Sequence, residues 1–463
     1  AAIAILWLSG PAWTAAAQTP VLPPPVDLGQ RPDSTEARDV PYQAPGQVGL
    51  PEAASCIDPA PASGLDPAVI PPGQERMRIR AAQEFATGRG QTVAVIDSGV
   101  NPHPRLADRL DDGGDYILGL RGTSDCEGHG TVVAGIIAAA PGDTGFLGVA
   151  PDARILAIRQ SSRFFEVDLP DRDTGRIVSK PAGDTASLAR AVVRAVDTPG
   201  VSVINISEAA CFPASKADAP PDRSLQAAAR YAADRDVVVV AAAANSDDAE
   251  CRQNSDAGLQ TIVSPAWFDE DVLAVGAIDL RTGAPAQFTL SGPWVDVGAP
   301  GTQLVSLDPV DEGLTATLAD VNGERFPIQG TSFATPFVAG VAALVRERFP
   351  ELTAREVIER IQRTAQHTAG PGGRDPVLGY GVINPVAALT EILPGPGAVP
   401  VPGLVGGSVE PARLEGFRPP VREDPVRRTV AFVGTGVGIA ALAGTMLIVS
   451  TVRQYRRSTL ART

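Results

Sequence analysis

The feature that most constrains the fold is a regular alternation of short β-branched runs with helical, alanine-rich runs between about residues 91 and 278. Short apolar runs of this kind suit buried strands. Strands joined through helices run parallel, and a parallel sheet needs helices on both of its faces. The sequence therefore predicts an α/β fold with a mostly parallel sheet and helices on both faces. The runs that predict strands are TVAVID, RILAI, VSVINIS, VVVVAAAAN and VLAVGAI.

Residues able to carry out chemistry lie at the ends of three elements. Asp97 ends the first predicted strand, and the carboxyl edge of a parallel sheet is where ligands bind. His129 introduces a small-residue helix that runs to about Ala139. Ser332, in GTSFATPFVAG, lies at the first turn of an apolar helix. Unpaired N–H groups and the helix dipole stabilise a negative oxygen there. The alternative is that Thr331 or Ser332 only caps the helix.

These three residue types are those that hydrolytic acyl transfer requires. The reaction needs a nucleophile, a base that takes its proton, and a carboxylate that orients the base. The chain has three histidines. His103 lies in the turn NPHP, where a solvated loop residue is expected, and His367 lies in a polar stretch after a helix. The context of His129 is therefore the one that suits a base.

The chain resembles the subtilisin-like serine proteases. The order Asp97, His129, Ser332 is that of the subtilisin triad. The resemblance implies that Asp97 orients His129, that His129 acts as general base and then acid, and that Ser332 attacks the peptide carbonyl. It also implies an oxyanion hole formed by the Asn245 side chain and the Ser332 backbone N–H. The stretches that carry it, within residues 92–344, are VAVIDSGV, GHGTVVAGIIA, VINIS, AAAAN and GTSFATPFVAG.

The sequence departs from this family in the segment that pairs with the substrate backbone. Ser207, Glu208 and Ala209 fall where the family has a serine followed by apolar residues and glycine. We predict that these three residues bind substrate. Glu208 and the methyl groups of Ala209 and Ala210 indicate a narrowed substrate-binding cleft. A second departure is Ala244, which replaces the glycine that the family more usually has before Asn245.

The cysteines predict two disulfides, because the chain is expected to be exported. Three pairings are possible. We favour the sequence-nearest pairs, Cys56 with Cys126 and Cys211 with Cys251, each worth roughly 4 kcal/mol in the loop-entropy model. No C-x-x-C pair and no EF-hand spacing is present, so neither a metal nor another cofactor is predicted.

The N-terminal part of the chain indicates export. Residues 1–17 hold a short apolar run followed by three alanines, which predicts a secretory signal that lacks its first residues. A membrane anchor is the alternative. Residues 18–80 are rich in proline and are predicted to be extended, without a core of their own and not as a removable folding domain. Because Cys126 lies three residues before His129, a bond to Cys56 would hold this extension beside the active site.

The C-terminal part indicates a membrane anchor. After a peptidase domain at residues 81–392 and a proline-rich linker at 393–428, residues 429–452 are apolar and uncharged. This run is long enough to span a bilayer. A basic tail, residues 453–463, follows it, which favours a cytoplasmic C-terminus. The prediction is a single-pass plasma-membrane protein with an extracytoplasmic protease domain.

The whole arrangement resembles the mycosins, the membrane-anchored subtilases of type VII (ESX) secretion systems. The core stretches SDCEGHGT and AIRQSS contribute to this resemblance. It implies two kinds of partner, namely protein substrates exported by type VII secretion and membrane components of the secretion complex. A net charge of −14 argues against nucleic acid as a partner. The alternatives are a chiefly structural subunit of the secretion channel, with proteolysis secondary, and a general exported degradative protease.

One charged segment interrupts the pattern of strands and helices. Residues 163–184 show no periodicity and are predicted to form an inserted, solvated surface loop. A flap on the substrate side and a contact with a partner are the alternatives.

Overall fold

The structure is a computed structural model that describes residues 21–37, 52–53, 56, 68–170, 176–218, 220–246, 251–255, 258–368 and 373–393. The strands are β1 Glu52–Ala53, β2 Thr92–Asp97, β3 Leu110–Asp115, β4 Arg154–Arg159, β5 Ser162–Pro170, β6 Ile177–Ala182, β7 Val201–Ile206, β8 Ala210–Pro213, β9 Val238–Ala242, β10 Thr261–Ser264, β11 Val272–Ile278, β12 Val297–Pro300, β13 Ser306–Leu307, β14 Leu314–Thr315, β15 Thr317–Ala319 and β16 Arg325–Pro327. The α-helices are α1 Pro72–Arg76, α2 Ile79–Ala82, α3 His129–Ala138, α4 Thr185–Asp197, α5 Arg223–Asp234, α6 Thr331–Arg348, α7 Ala354–Arg363 and α8 Pro385–Thr390. Short 3-10 helices include Leu28–Gln30, Ala107–Arg109 and Ala214–Lys216.

A seven-stranded sheet forms the centre of the fold, with the order β12-β11-β9-β7-β2-β4-β3. Every pairing within it is parallel. Strand β2 lies between β7 and β4, so Asp97 ends an interior strand rather than an edge strand. The five runs predicted as strands all contribute to this sheet, and the predicted α/β fold is confirmed.

Alternate residues of strand β2 enter two different cores. Val93 and Val95 pack with helices α3 and α6 on one face of the sheet. Ala94 and Ile96 pack with helices α4 and α5 on the other face. The period of two along a strand produces this division. Burying a valine or isoleucine side chain stabilises the fold by roughly 1.5–3 kcal/mol, so both faces contribute to holding β2 in place.

This layering brings the predicted reactive residues towards one edge of the sheet. Strand β2 ends at Asp97. Helices α3 and α6 belong to the same core and begin at His129 and Thr331. The chain therefore delivers a strand end and two helix starts to one region.

The prediction of a solvated loop at residues 163–184 is wrong. The segment forms the antiparallel pair β5 and β6, and β1 pairs with the other side of β5. Phe164, Phe165 and Val167 are buried in a small separate core, while Glu166 and Asp168 remain exposed. The burial of these apolar side chains stabilises the strand pair. In the sequence, the charged residues between them hide the apolar pattern, so no strand was predicted.

The predicted extended segment is helical at its C-terminal end. Helices α1 and α2 lie within residues 72–82, and Met77 and Ile79 are buried in the core that contains α3 and α6. The prediction of an extended chain is wrong for these residues. Their few apolar side chains gain stability by packing on the main core, which the local sequence does not reveal. Further towards the N-terminus the extension lies along α5, where Gln226 Nε2 donates to the Pro24 carbonyl at 2.6 Å.

The prediction for His103 is also wrong, since this side chain is only 4% exposed. Its Nδ1 accepts a hydrogen bond from the Arg105 N–H at 3.1 Å, and its Nε2 lies 3.2 Å from the Gly313 carbonyl. Burial lowers the pKa of His103. This histidine therefore holds a turn together.

No helix of the described residues is long and apolar enough to cross a membrane. The predicted span at residues 429–452 lies outside the described residues. The predicted signal at 1–17, the linker after residue 393 and the basic tail lie outside them too.

Candidate active site

Asp97 and His129 form a buried hydrogen-bonded pair. Asp97 Oδ1 lies 2.7 Å from His129 Nδ1, and the Ser98 N–H donates to the same oxygen at 2.8 Å. Asp97 is fully buried and His129 is 5% exposed. The pair holds the imidazole with Nδ1 towards the carboxylate, which leaves Nε2 for a reacting group.

The electrostatic environment favours the imidazolium form of His129. Burial by itself lowers the pKa of His129, but the charge and the hydrogen bond of Asp97 outweigh it, and the pKa rises to about 9. A carboxylate that stabilises an imidazolium is what a base needs at the moment when it holds the proton.

Asp125, which was not among the predicted site residues, organises the start of helix α3. Its carboxylate accepts hydrogen bonds from Ser98 Oγ at 2.9 Å, from the Gly128 N–H at 2.8 Å and from the Thr131 N–H at 2.9 Å. Burial raises the pKa of Asp125. An acidic residue just before a helix complements the unpaired N–H groups of the first turn. That position was the signal available in the sequence.

Ser332 lies in the first turn of helix α6. The ring of Phe333, the next residue, has its centroid 4.7 Å from that of His129. The Ser332 carbonyl accepts a hydrogen bond from Ser207 Oγ at 2.6 Å. The start of α6 is therefore tied both to the histidine and to the predicted substrate segment.

Asn245 faces the same turn. Its Oδ1 accepts hydrogen bonds from the Thr331 N–H at 3.0 Å and from Thr331 Oγ1 at 3.1 Å, which fixes the side-chain amide and makes Nδ2 its donor end. A Cβ atom built on Gly330, which has φ of 146°, would lie 3.1 Å from Ser332 Oγ and 3.5 Å from Asn245 Nδ2. The serine oxygen and the amide donor therefore flank one glycine.

The predicted substrate segment, residues 207–209, brings an additional carboxylate to the histidine. A carboxylate oxygen of Glu208 and ligand atoms of Asp97 and His129 all lie within 4.8 Å of one another. Burial and the charge of Asp97 raise the pKa of Glu208. Of the described residues, these three form the group that could hold a metal ion. The bond to Asp97 already engages His129 Nδ1, an arrangement suited to acid–base chemistry. The sequence predicted that Glu208 narrows the cleft, not that it approaches the histidine.

A cavity of about 560 Å³ opens beside this group, between the β5–β6 pair and the β15–β16 pair. Phe333 and Glu127 form part of its lining. Glu127 is 4% exposed and accepts a hydrogen bond from the Arg163 N–H at 3.0 Å. Burial raises the pKa of Glu127 to about 7.

Both disulfides have the predicted pairing. Cys56 is bonded to Cys126, and Cys211 is bonded to Cys251. The first attaches the N-terminal extension three residues before His129. The second joins Cys251 to Cys211, which lies in strand β8 just after the predicted substrate segment.

Known proteins with similar sequences agree with the resemblance. The subtilase family (Peptidase_S8) matches residues 88–381. Mycosin-1 of Mycobacterium tuberculosis is 41% identical over 457 residues, which cover 94% of this chain and 95% of the relative. The chain belongs to the subtilases and, among them, to the mycosins. It is therefore a subtilisin-like serine endopeptidase.

Solved mycosin structures share the fold. The structure of a serine protease MycP1, an essential component of the type VII (ESX-1) secretion system, is 39% identical, with a TM-score of 0.70, and the match covers 80% of this chain and 100% of that one. A chain of an intact ESX-5 inner membrane complex is 36% identical, with a TM-score of 0.71, and the match covers 93% of this mycosin and 99% of that chain.

Proposed function

We propose that this mycosin is a membrane-anchored serine endopeptidase that cleaves proteins exported by a type VII secretion system. We propose Asp97, His129 and Ser332 as its catalytic triad. The observation that carries the proposal is the 2.7 Å contact between Asp97 and His129, formed where helix α3 begins beside the helix that carries Ser332. A buried carboxylate that orients a base, with a hydroxyl on the neighbouring helix, is the arrangement that acyl transfer requires, and this supports the proposal.

Each member of the triad has a defined role in the reaction. His129 takes the proton of Ser332 as Oγ attacks the scissile carbonyl, and then gives that proton to the leaving amine. Asp97 holds the imidazole in one tautomer and stabilises the imidazolium. Water then hydrolyses the acyl-enzyme with His129 again acting as base.

Two donors stabilise the oxyanion of the tetrahedral intermediate. They are Asn245 Nδ2 and the backbone N–H of Ser332. The hydrogen bonds from Thr331 to Asn245 Oδ1 orient the amide before substrate arrives. Donors fixed in advance do not need to reorganise during the reaction.

Ser207, Glu208 and Ala209 bind the substrate next to the scissile bond. The hydrogen bond from Ser207 Oγ to the Ser332 carbonyl keeps this segment at a fixed distance from the nucleophile. The disulfide of Cys211 restrains the chain that follows.

The proposed location is the outer face of the plasma membrane. The peptidase domain, residues 81–392, would be extracytoplasmic, with a span at 429–452 and a cytoplasmic tail at 453–463. Two disulfides support an oxidising compartment. The domain boundaries, the signal at 1–17, the extension at 18–80 and the linker at 393–428 are part of this proposal.

A role within the secretion membrane complex is the second proposed function. It is supported by the similarity to a chain of the ESX-5 inner membrane complex, which covers 93% of this mycosin. In this alternative the chain chiefly stabilises the secretion channel, and proteolysis is secondary.

Two experiments test these functions. Fluorophosphonate labelling of the purified full-length chain, followed by peptide mapping, is expected to modify Ser332, and a folded protein without label there would count against the triad. Secretion is then compared between cells that lack the gene and cells that carry Ser332→Ala. Loss of processing alone in the Ser332→Ala cells indicates a separate catalytic role. Loss of secretion on deletion but not on substitution indicates the structural role. Isolation of the native protein without membrane partners would instead favour a general degradative protease.

A further inference from the structure

Several carboxylate side chains lie near His129 and the predicted substrate segment. Glu208 lies within 4.8 Å of the Asp97 and His129 ligand atoms. Glu127 precedes His129 by two residues and is almost fully buried. Asp97 Oδ2 is buried and accepts no hydrogen bond from the described residues. One carboxylate oxygen of the site is therefore without a hydrogen-bond donor among the described residues.

The charges around this group do not balance. Asp97 comes from β2, Asp125 and Glu127 come from the turn before α3, and Glu208 comes from the turn after β7. The cationic side chains that act on Glu208 are those of His129 and Arg163. Burial raises the pKa of Glu127 to about 7, and burial together with Asp97 raises that of Glu208. Buried carboxylates are costly unless a cation pairs with them.

The adjoining cavity can receive such a cation from the substrate. Glu127 and Phe333 line it, and Phe333 contacts His129, so the cavity lies next to the residue that follows the proposed nucleophile. Its walls carry the apolar side chains of Phe164, Leu318 and Phe326. The charged lining residues besides Glu127 are Arg163, Glu166 and Asp320, so acidic groups outnumber the one basic group. Apolar walls with a carboxylate at the end suit a long basic side chain, whose methylene stem packs while its charged head pairs.

We propose that Glu208 and Glu127 form a subsite for a lysine or arginine side chain of the substrate, within about two residues of the scissile bond. The reach follows from the short distance between Glu208 and His129, because successive Cα atoms are only about 3.8 Å apart. This inference rests on the proposed peptidase function and adds the class of substrate to it.

The test measures selectivity as a ratio of kcat/KM values. Internally quenched peptides carry lysine, arginine, glutamine or glutamate in turn at each of the three positions on either side of one cleaved bond. The full-length chain is expected to prefer lysine or arginine over glutamine by about tenfold to hundredfold at one position, which is the usual strength of a charge-assisted hydrogen bond. Glu208→Gln and Glu127→Gln each lower this ratio, and Glu208→Lys makes the glutamate peptide the better substrate. The matched control is Glu84→Gln, at an exposed carboxylate, which leaves the ratio unchanged.

The outcomes separate the inference from the function on which it rests. A wild-type chain that cleaves the peptides without preferring a basic residue at any position overturns the subsite. The same holds for a preference that survives both glutamine variants. Zinc inhibition that depends on Glu208, without basic selectivity, would also overturn it in favour of a metal site. Absence of cleavage together with absence of fluorophosphonate label on wild-type Ser332 would instead refute the peptidase function. Labelling of Ser332 in each variant verifies that it is folded.

Discussion

Neutralising Glu208 should move the pH profile of this peptidase. The pKa of His129 is about 9, because the charge and hydrogen bond of Asp97 outweigh the effect of burial, and Glu208 raises it further. His129 is thus mostly protonated in the free enzyme at neutral pH and cannot accept a proton. We expect kcat/KM of the wild type to rise about tenfold per pH unit up to that pKa.

The size of the shift follows from the distance between the charges. The Glu208 oxygen lies within 4.8 Å of the His129 nitrogen. Two charges at that separation interact by about 0.9 kcal/mol at the dielectric constant of water and by about 3.5 kcal/mol at an effective value near 20. At about 1.4 kcal/mol per pKa unit, Glu208→Gln should lower the pKa of His129 by about 0.6 to 2.5 units. The pKa of His129 falls, rather than rises, because removing an anion destabilises the imidazolium.

The assay is kcat/KM between pH 5 and pH 10 on a peptide without basic side chains, so that substrate pairing with Glu208 does not contribute. The acidic limb of the Glu208→Gln profile should lie at lower pH than that of the wild type, and the variant should be faster near pH 7. NMR titration in a Ser332→Ala background measures His129 directly, since the chain has only three histidines. Superimposable profiles, or a limb displaced to higher pH, would refute the reasoning.

Three further predictions concern the oxyanion hole, a disulfide and a buried carboxyl group. Asn245→Ala should lower kcat by about 100- to 1000-fold, the usual cost of one oxyanion donor, with KM little changed; steady-state kinetics measures this, and a loss below fivefold in folded protein would contradict it. Replacing Cys211 and Cys251 by serine should reduce the free energy of unfolding by about 4 kcal/mol, given the sequence separation of 40 residues; urea unfolding measures this, and an unchanged midpoint would contradict it. Glu127 has its pKa raised from 4.5 to about 7, so its stabilising contribution is complete below pH 4.5 and is lost as the pH rises through 7. Glu127→Gln should therefore stabilise the protein by about 3 kcal/mol at pH 8 and by nothing at pH 4, as urea unfolding at the two pH values would reveal.

Much of the fold was predictable because it depends on local patterns. The run TVAVID has the length of a buried strand, and in the structure it is β2, an interior strand of the parallel sheet. The pairing of the cysteines followed from sequence proximity, and both bonds are present. The β5–β6 pair was not predicted because it buries only a few apolar residues, in a small core of its own. The charged residues among them therefore dominate the sequence pattern.

The site was predictable only in part. Asp97, His129 and Ser332 stood at element ends in glycine-rich turns, which made their residue types and order informative. Asp125 was overlooked, although an acidic residue before a helix start is a recognisable signal. His103 was taken for a solvated residue, but it packs against a carbonyl from a distant loop. No local pattern could reveal that contact.

The sequence by itself determined the class of fold, the family and the candidates for nucleophile, base and orienting carboxylate, because strand and helix periods and glycine-flanked motifs are properties of neighbouring residues. Only the tertiary structure decided what surrounds His129. Glu208 and His129 belong to different elements, and they meet because parallel strands and the helix starts beside them converge at one edge of the sheet. Electrostatic interactions depend on distance through space, and it is this proximity that sets the pKa of His129 and the charge of the proposed subsite.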